Sequence, residues 1–276
     1  MLQTPHPYSL LAEVTYRCPL GCPYCSNPLE LRRYSDELDT ATWKRVLAEA
    51  VRLGVVQVHF SGGEPLVRRD LPELVQEARR LDLYSHLSTS GVQADDTWLE
   101  RLQDAGLDAL QISLQDSRPD QNDWLAGCPS FEKKCRAIRT AKRLGFSVTI
   151  NVVLHRHNLD RIGDVVELAD RWSVDKLELA HVQYTGWAFR NRAALLPSRA
   201  QVEHAEEVIA RARERLTLGG LLMSHPPAVP PFPKRERPGE FAAQRGLRFP
   251  WKSSTCFQII FNSSPRRACR GGGESS

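Results

Sequence analysis

Residues 9–25, SLLAEVTYRCPLGCPYC, join an apolar run to three closely spaced cysteines. The run Ser9–Thr15 predicts a β-strand. Cys18, Cys22 and Cys25 follow it in a C-x3-C-x2-C pattern. Three thiolates on one short loop can face a single inorganic centre, so this loop is a candidate metal site.

The same alternation of strand and helix continues outward from this segment to residue 215. Further strands are predicted at 55–60, 84–89, 109–114, 147–154 and 176–180, and helices at 41–53, 71–81, 96–105, 131–144, 159–172 and 198–215. Thr40 is predicted to cap the first helix, and Ser198 with Gln201 forms a capping box at the last. Strict alternation requires parallel strands and right-handed crossovers, so the sequence predicts an α/β fold, either a layered sheet or a barrel that is complete or partial. With six strand–helix pairs, we interpret it as a partial (β/α)6 barrel. In such a fold the functional site lies at the carboxyl ends of the strands.

The pattern stops near residue 216. Residues 226–238 contain six prolines, and residues 216–276 carry a net charge of +6 while residues 1–215 carry −2. This composition predicts two regions: a core over 1–215 and a Pro/Arg/Gly-rich tail over 216–276 that is poorly structured or the product of a frameshift. Only 256–261, CFQIIF, is a strand candidate in the tail.

Composition excludes several classes of protein. With 276 residues, 41% hydrophobic and 25% charged, the chain is typical of a soluble globular protein. We find neither an apolar run of about 18 residues nor a leader-like start, so no membrane association and a cytoplasmic location are expected. The basic surplus is confined to the tail, which argues against a nucleic-acid partner. Seven cysteines without a leader favour metal binding or catalysis over disulfides.

The cysteine spacing alone leaves two metals open. A structural zinc site needs four ligands, usually in two separated pairs, and this triplet has no nearby fourth Cys or His. A four-iron cluster held by three thiolates would keep one iron open for a small molecule. The spacing favours the cluster and leaves zinc as the alternative.

A second motif ends the second predicted strand: Ser61-Gly62-Gly63-Glu64-Pro65. Together, the cysteine triplet and this turn resemble the signature of the radical S-adenosylmethionine (SAM) enzymes. The resemblance implies that Cys18, Cys22 and Cys25 bind a [4Fe-4S] cluster whose open iron chelates SAM. It also implies SAM-binding roles for residues at the strand ends: Tyr24 against adenine, Gly62, Gly63, Glu64 and Pro65 at the methionyl amino group, and Thr89, Ser90, Ser113 and Asn151 around the rest of the molecule.

These assignments agree with elementary chemistry, since glycine lets a backbone approach a ligand closely and a carboxylate suits an ammonium group. The alternative for the second motif is an ordinary turn with Glu64 at a solvated helix entry.

A narrower resemblance covers residues 8–215. The stretches FSGGEPLVRRDL, LQISLQDS and INVVLHRHNLDRI are similar to the PqqA peptide cyclase family (PqqE) of pyrroloquinoline quinone (PQQ) biosynthesis. The resemblance implies an oxidoreductase that forms a C–C crosslink between a glutamate and a tyrosine of the PqqA precursor peptide. It also implies two partners, the peptide carrier PqqD and an electron donor. Two alternatives stay open: a radical SAM maturase of another peptide, or a non-catalytic remnant that binds peptide or carrier.

That family carries a Cys-rich C-terminal region, called SPASM, with two auxiliary iron–sulfur clusters. The tail offers only Cys256 and Cys269, so we expect this region to be missing or replaced. Crosslinking is then expected to be impaired even where SAM cleavage survives.

Four other features are ambiguous from sequence. His155 and His157 would share a strand face, either as ligands or as a hydrogen-bonded polar strand end. Cys128 and Cys135 are predicted to be small apolar fillers. Asp116 is an acid/base candidate or a turn cap. Trp187 lies where a barrel admits substrate, or simply packs.

Overall fold

The computed structural model describes residues 7–30, 36–216, 222–224 and 258–262 of the chain. Its strands are β1 Ser9–Thr15, β2 Gln57–Gly62, β3 Tyr84–Thr89, β4 Ala109–Ser113, β5 Ser147–Leu154, β6 Lys176–His181, β7 Leu222–Ser224 and β8 Gln258–Asn262. Its α-helices are α1 Thr40–Arg52, α2 Leu71–Arg80, α3 Asp96–Ala105, α4 Pro119–Ala126, α5 Phe131–Arg143, α6 Ile162–Arg171, α7 Gly186–Arg190, α8 Arg192–Leu195 and α9 Arg199–Leu216. Single 3-10 turns lie at Pro65–Val67 and Leu159–Arg161.

The strands form one parallel sheet in the order β7-β6-β5-β4-β3-β2-β1-β8. From β1 to β6, each strand pairs with the next along the chain, and the order never reverses. Consecutive crossovers therefore step across the sheet in one direction, as in a barrel rather than a doubly wound sheet. This confirms the predicted α/β partial barrel.

The two faces of the sheet differ in chemistry because the side chains alternate. Apolar residues such as Phe60 and Ile112 point to the helix side and are fully buried. They pack with helix residues such as Trp43 of α1 in one continuous core. The opposite face is lined by half-buried polar residues, including His59 and Glu178. A sheet with one apolar and one polar face leaves the polar face for ligands.

Most of the predicted elements are present with ends shifted by one or two residues, and β1, β3, α3 and β5 have the predicted bounds. One cap was wrong. Asp39, not Thr40, caps α1, because its extended backbone lets Oδ1 accept the Thr42 N–H at 2.7 Å. The Thr40 hydroxyl instead donates to Asp70 at the start of α2.

Most of the predicted poorly structured tail lies outside the described residues. The described part of the tail contains two short strands, β7 and β8. Strand β7 pairs with β6, and strand β8 pairs with β1 at the other side of the sheet. The strand candidate at 256–261 overlaps β8. The boundary at residue 215 remains a prediction. Among the described residues, no helix has the length and apolar character needed to cross a membrane.

The capping box predicted at α9 is confirmed. The Gln201 N–H donates to the Ser198 hydroxyl at 3.2 Å, and the Ser198 N–H donates to Gln201 Oε1 at 3.0 Å. Replacing Ser198 by alanine is expected to lower the free energy of unfolding by about 1 kcal/mol, because the first turn loses its side-chain acceptor. Urea denaturation checks this, with Ser198→Asp as a control that keeps an acceptor. Equal midpoints for the alanine variant and the wild type would contradict it.

Candidate functional site at the carboxyl end of the sheet

The cysteine loop, defined as residues 16–28, leaves the carboxyl end of β1. Cys18, Cys22 and Cys25 are free, half-buried thiols. The Cys25 N–H donates to the Cys22 carbonyl at 3.2 Å, which closes a turn between two of them. Ionisation of Cys25 would raise the pKa of both Cys18 and Cys22. The loop therefore gathers the thiols that the sequence singled out.

Burial keeps these thiols protonated in the chain alone. It raises the pKa of Cys18 and of Cys22 to about 11, and it also raises the pKa of Cys25. The cause is desolvation, which disfavours the charged thiolate, while the nearby Lys134 ammonium acts in the opposite direction on Cys18 and Cys22. A metal that binds here must displace these protons.

The Gly-Gly turn after β2 packs directly against the cysteine loop. The Gly63 N–H donates to the Thr15 carbonyl and the Glu64 N–H to the Arg17 carbonyl, both at 2.8 Å. A Cβ on Gly62 would lie 2.2 Å from the Thr15 oxygen, and one on Gly63 would lie 2.4 Å from the Arg17 oxygen. Side chains do not fit at either position, so both glycines are required for this close approach.

Glu64 is fully buried, so the alternative of a solvated helix entry is wrong. One carboxylate oxygen accepts from the Thr89 hydroxyl at 2.6 Å and from the Leu66 N–H at 3.0 Å. The other accepts from the Ser90 N–H at 2.7 Å and from the Ser90 hydroxyl. Glu64 thus ties the Gly-Gly turn to the end of β3, and its neighbour Pro65 begins a 3-10 turn in a buried position.

The remaining candidate residues lie at the same edge of the sheet. Ser113 on β4 is the register partner of Asn151 on β5, and both are half-buried on the polar face. The Tyr24 ring lies 5.2 Å from the His155 ring that follows β5. The structure therefore brings the candidates from five strand ends to one edge, as a parallel sheet requires.

A comparison with protein families decides how this edge is interpreted. The model of the family described as "Radical SAM superfamily" matches residues 12–169, from β1 into α6 and more than half of the chain. The chain belongs to the radical SAM superfamily. The resemblance drawn from the two motifs is confirmed.

Relatives of this radical SAM chain carry a narrower name. A "PqqA peptide cyclase" of Xanthomonas campestris pv. campestris (strain B100) is 48% identical over 223 residues, which cover 80% of this chain and 59% of that protein. The "PqqA peptide cyclase" of Gluconobacter oxydans (strain 621H) is 48% identical over 244 residues, covering 88% and 66%. The chain thus spans about three-fifths to two-thirds of the length of these relatives.

Solved structures support the fold. SuiB of Streptococcus suis, bound to its precursor peptide SuiA, superposes with a TM-score of 0.65 at 19% identity, covering 80% of this chain and 49% of that one. Coproporphyrinogen III oxidase (HemN) of Escherichia coli, described as a radical SAM enzyme, gives a TM-score of 0.56 at 16% identity, covering 78% of this chain and 53% of that one.

Radical SAM proteins take a [4Fe-4S] cluster and SAM as cofactors. The donor set here fits the cluster, because soft thiolates are the ligands that iron–sulfur centres select. In the part of the chain that is described, no group of three or more His, Cys, Asp or Glu side chains is already arranged around one metal position. The fit therefore rests on the chemistry of the thiols and on the glycine turn packed beneath them.

Sequence reasoning missed Lys134 of α5. Its side chain is fully buried, and its ammonium donates to the Ser90 carbonyl at 2.5 Å and the Ser113 carbonyl at 2.8 Å. It joins the ends of β3 and β4 and supplies a cation near Glu64 and Cys22, while burial lowers its pKa to about 8. The signal was present in the sequence, since Lys134 occupies the apolar face of α5 between Phe131 and Ile138.

Most of the residues whose role was ambiguous from the sequence make contacts that stabilise the fold. The Asp116 carboxylate is fully buried, receives two N–H groups of Arg161 and accepts the Arg118 N–H at 3.0 Å, so it stabilises a turn. His155 and His157 follow β5 rather than sharing a strand face, because β5 ends at Leu154; the His157 N–H donates to His155 Nδ1 at 3.2 Å.

The remaining three side chains differ in their exposure. Cys135 is buried, as a filler would be, while Cys128 is half-buried. Trp187 is 41% exposed, so it does not simply pack.

Three desolvated histidines, of which His155 is buried and His59 and His86 are half-buried, make stability depend on pH. Desolvation by burial is the main cause that lowers the pKa of His59, His86 and His155 to about 4. Lys176 adds to this effect at His86, while Glu178 opposes it at His59. In the unfolded chain a histidine has a pKa of about 6.5. Between these values the unfolded state binds more protons, so the free energy of unfolding falls as the pH falls from about 6.5 towards 4.

We expect a loss of about 1 to 2 kcal/mol per histidine between pH 7 and pH 5. Denaturant titrations at the two pH values measure it. The variant His155→Gln should show a smaller loss than the wild type, while His204→Gln on the exposed side of α9 should not. Equal pH dependence in all three proteins would contradict the prediction.

Proposed function

We propose that this chain is a radical SAM enzyme that modifies a ribosomally made precursor peptide of the PqqA type, joining a glutamate side-chain carbon to a tyrosine ring carbon. The observation that carries the proposal is the 48% identity to proteins named PqqA peptide cyclase over most of the chain. The convergence of the cysteine loop and the Gly-Gly turn at one sheet edge supports it.

In this proposal Cys18, Cys22 and Cys25 hold the [4Fe-4S] cluster. They are three free thiols on one loop, at the edge of the sheet that faces ligands in this architecture. The bound cluster and SAM supply the radical chemistry that removes a hydrogen atom from the substrate glutamate. The protein's part is to orient the reactants and to exclude water from them.

The SAM site is proposed along the same edge. The backbone of Gly62 and Gly63 receives the methionyl amino group, and Pro65 fixes the exit of the turn. Because both oxygens of Glu64 are occupied by protein donors, Glu64 acts by holding this turn against Thr89 and Ser90.

The strand ends that follow complete the site. Ser113 and Asn151 project side by side from β4 and β5, where they can bind the rest of the cofactor. Tyr24, packed in an apolar cluster with Ala188 and Leu195, offers a ring face to adenine. The polar inner face of the sheet, with His59 and Glu178, accommodates the peptide segment that reacts.

Two partners belong to the proposal: the peptide carrier PqqD and an electron donor that reduces the cluster. The peptide itself is supported by the names of the relatives and by the precursor peptide in the SuiB complex. A cytoplasmic location is also part of the proposal, since it suits reduced thiols and an oxygen-sensitive cluster.

We propose in addition that residues 1–215 form the catalytic core and that residues 216–276 are a Pro/Arg/Gly-rich tail produced by a frameshift. Sequencing the gene across the codons near Leu216 tests this. A coding sequence that continues in a different reading frame after these codons would support a frameshift. An intact frame that encodes the same tail in related genes would contradict it.

The test of function uses the full chain, reconstituted with iron and sulfide under anaerobic conditions. SAM, a strong reductant and a PqqA-type peptide are added, and iron content, 5′-deoxyadenosine and peptide mass are measured. About four irons per chain, deoxyadenosine and a peptide lighter by two hydrogens are expected, with the peptide product in low yield because the tail offers only two cysteines for auxiliary clusters. Deoxyadenosine with an unchanged peptide would overturn the crosslinking proposal, and the absence of both iron and deoxyadenosine would overturn the enzyme proposal.

A further inference from the structure

The segment after β6 contacts the cysteine loop along its whole middle part. Residues 185–195, which contain α7 and α8, lie against residues 23–27 of the loop. The Ala188 N–H donates to the Cys25 carbonyl at 2.9 Å. The Thr185 hydroxyl donates to the Ser26 carbonyl at 3.1 Å, and the Asn191 side-chain amide to the Pro23 carbonyl at 3.0 Å. Three donors, spaced three residues apart, thus hold three carbonyls of the loop.

These donors are used across the interface rather than within their own helices. Thr185 and Asn191 precede α7 and α8, where Thr and Asn side chains normally cap a helix, yet neither makes a side-chain cap bond. The Ala188 N–H belongs to the first turn of α7, which has no intrahelical acceptor for it. Both helices are short, so contacts with the loop contribute much of their stability.

Backbone contacts and apolar packing also connect this segment to the cysteine loop. Gly186 has φ +53°, and a Cβ there would lie 1.9 Å from the Asn27 carbonyl oxygen, so the segment touches the loop backbone. Ala188 and Leu195 are buried with Tyr24 in a small apolar cluster. The Leu195 carbonyl accepts the Arg156 N–H at 3.0 Å, which anchors the far end of the segment near β5.

We infer that residues 185–195 form a clamp that fixes the Cys22–Cys25 half of the cysteine loop, and that Asn191, which holds the Pro23 carbonyl between these two cysteines, is one of its positioning residues. Cys18 lies outside the clamp, since the Gly21 N–H on that side donates to the Ala126 carbonyl of α4 instead. The clamp therefore predicts an asymmetry: loosening it frees Cys22 and Cys25 more than Cys18. The consequence for a bound cluster rests on the proposed function, while the asymmetry in the chain itself does not.

The primary experiment measures alkylation rates of individual cysteines in the full chain before iron is added, by peptide mass mapping. Asn191→Ala is expected to speed alkylation of Cys22 and Cys25 about three- to tenfold, the range that corresponds to one lost hydrogen bond. The alkylation rates of Cys18 and Cys135 should stay within about twofold of their values in the wild type. Gly186→Ala, which forces the segment off the loop, should produce a larger effect at the same two cysteines.

The control is Gln103→Ala. The Gln103 amide donates to the Leu144 carbonyl at 2.6 Å, the same kind of bond between a side-chain amide and a loop carbonyl, between α3 and the end of α5. It should change none of the three loop rates. Unchanged Cys22 and Cys25 rates in both Asn191→Ala and Gly186→Ala would overturn the clamp. An equal rise at Cys18 and Cys135 would also overturn it, because it would indicate general loosening.

A second readout concerns the loaded protein. After reconstitution, Asn191→Ala is expected to broaden or shift the electron paramagnetic resonance signal of the reduced cluster relative to the wild type and to Gln103→Ala. If the wild type takes up no iron, the proposed function fails, and the alkylation rates still decide whether the clamp exists.

Discussion

Replacing Lys134 by methionine is expected to lower the free energy of unfolding by about 3 kcal/mol or more and to weaken SAM binding by about tenfold or more. Methionine has a similar length and fills the space, so the loss reports the charge. Without the ammonium, the Ser90 and Ser113 carbonyls lose a donor and the buried Glu64 loses a nearby cation. The Gly-Gly turn that Glu64 holds then loses part of its support.

The matched control is the neighbouring residue on the same helix. Lys133 is exposed, so Lys133→Met should change stability by no more than about 0.5 kcal/mol. Lys134→Arg keeps the positive charge in a larger side chain, so its loss in free energy of unfolding should lie between those of Lys134→Met and Lys133→Met. Denaturant unfolding of the unloaded chain and calorimetric titration of the reconstituted protein with SAM provide the two measurements. If Lys134→Met unfolds at the same denaturant concentration as Lys133→Met, the buried ammonium is not the link between β3 and β4.

Lys134 also shows where sequence reasoning reached its limit. Local signals fixed many element ends: α3 ends where Gly106 adopts φ 90°, and β3 and β5 are bounded by turn residues. The apolar face of α5 is equally evident from the sequence, but the pattern alone does not indicate what the lysine within it contacts. Its partners are the carbonyls of two strand ends 44 and 21 residues earlier, and only the fold places them within reach.

The short helices α7 and α8 were missed for a related reason. Gly186–Arg190 and Arg192–Leu195 have too few residues for a periodic pattern, and they are held by carbonyls of the cysteine loop. Helix α4 begins at Pro119 and shows only weak amphipathic periodicity. Burial of Glu64 was equally beyond local reasoning, because it depends on donors from Thr89 and Ser90, about 25 residues later. The motifs identified the chemistry, and tertiary contacts determined the supporting residues.

Alanine at any one of Cys18, Cys22 or Cys25 is expected to abolish stable loading of a four-iron cluster, and with it the release of 5′-deoxyadenosine. Three thiolates already leave one iron without a protein ligand, so losing another removes a third of the anchoring bonds. The matched controls are Cys128→Ala and Cys135→Ala, which keep all three loop thiols. These should load iron like the wild type, with Cys135→Ala less stable by about 1 kcal/mol because its side chain is buried.

Denaturant unfolding, measured before and after cluster loading, distinguishes the loss of a cluster ligand from the loss of packing. Before iron is added, Cys25→Ala should unfold at nearly the same denaturant concentration as the wild type, because it removes a half-buried neutral thiol. After loading, only proteins that bind the cluster gain stability, since a group that binds the folded state alone shifts the equilibrium towards it. A loop variant that gains as much as the wild type would mean that another donor completes the site, and the assignment of the three cysteines would be wrong.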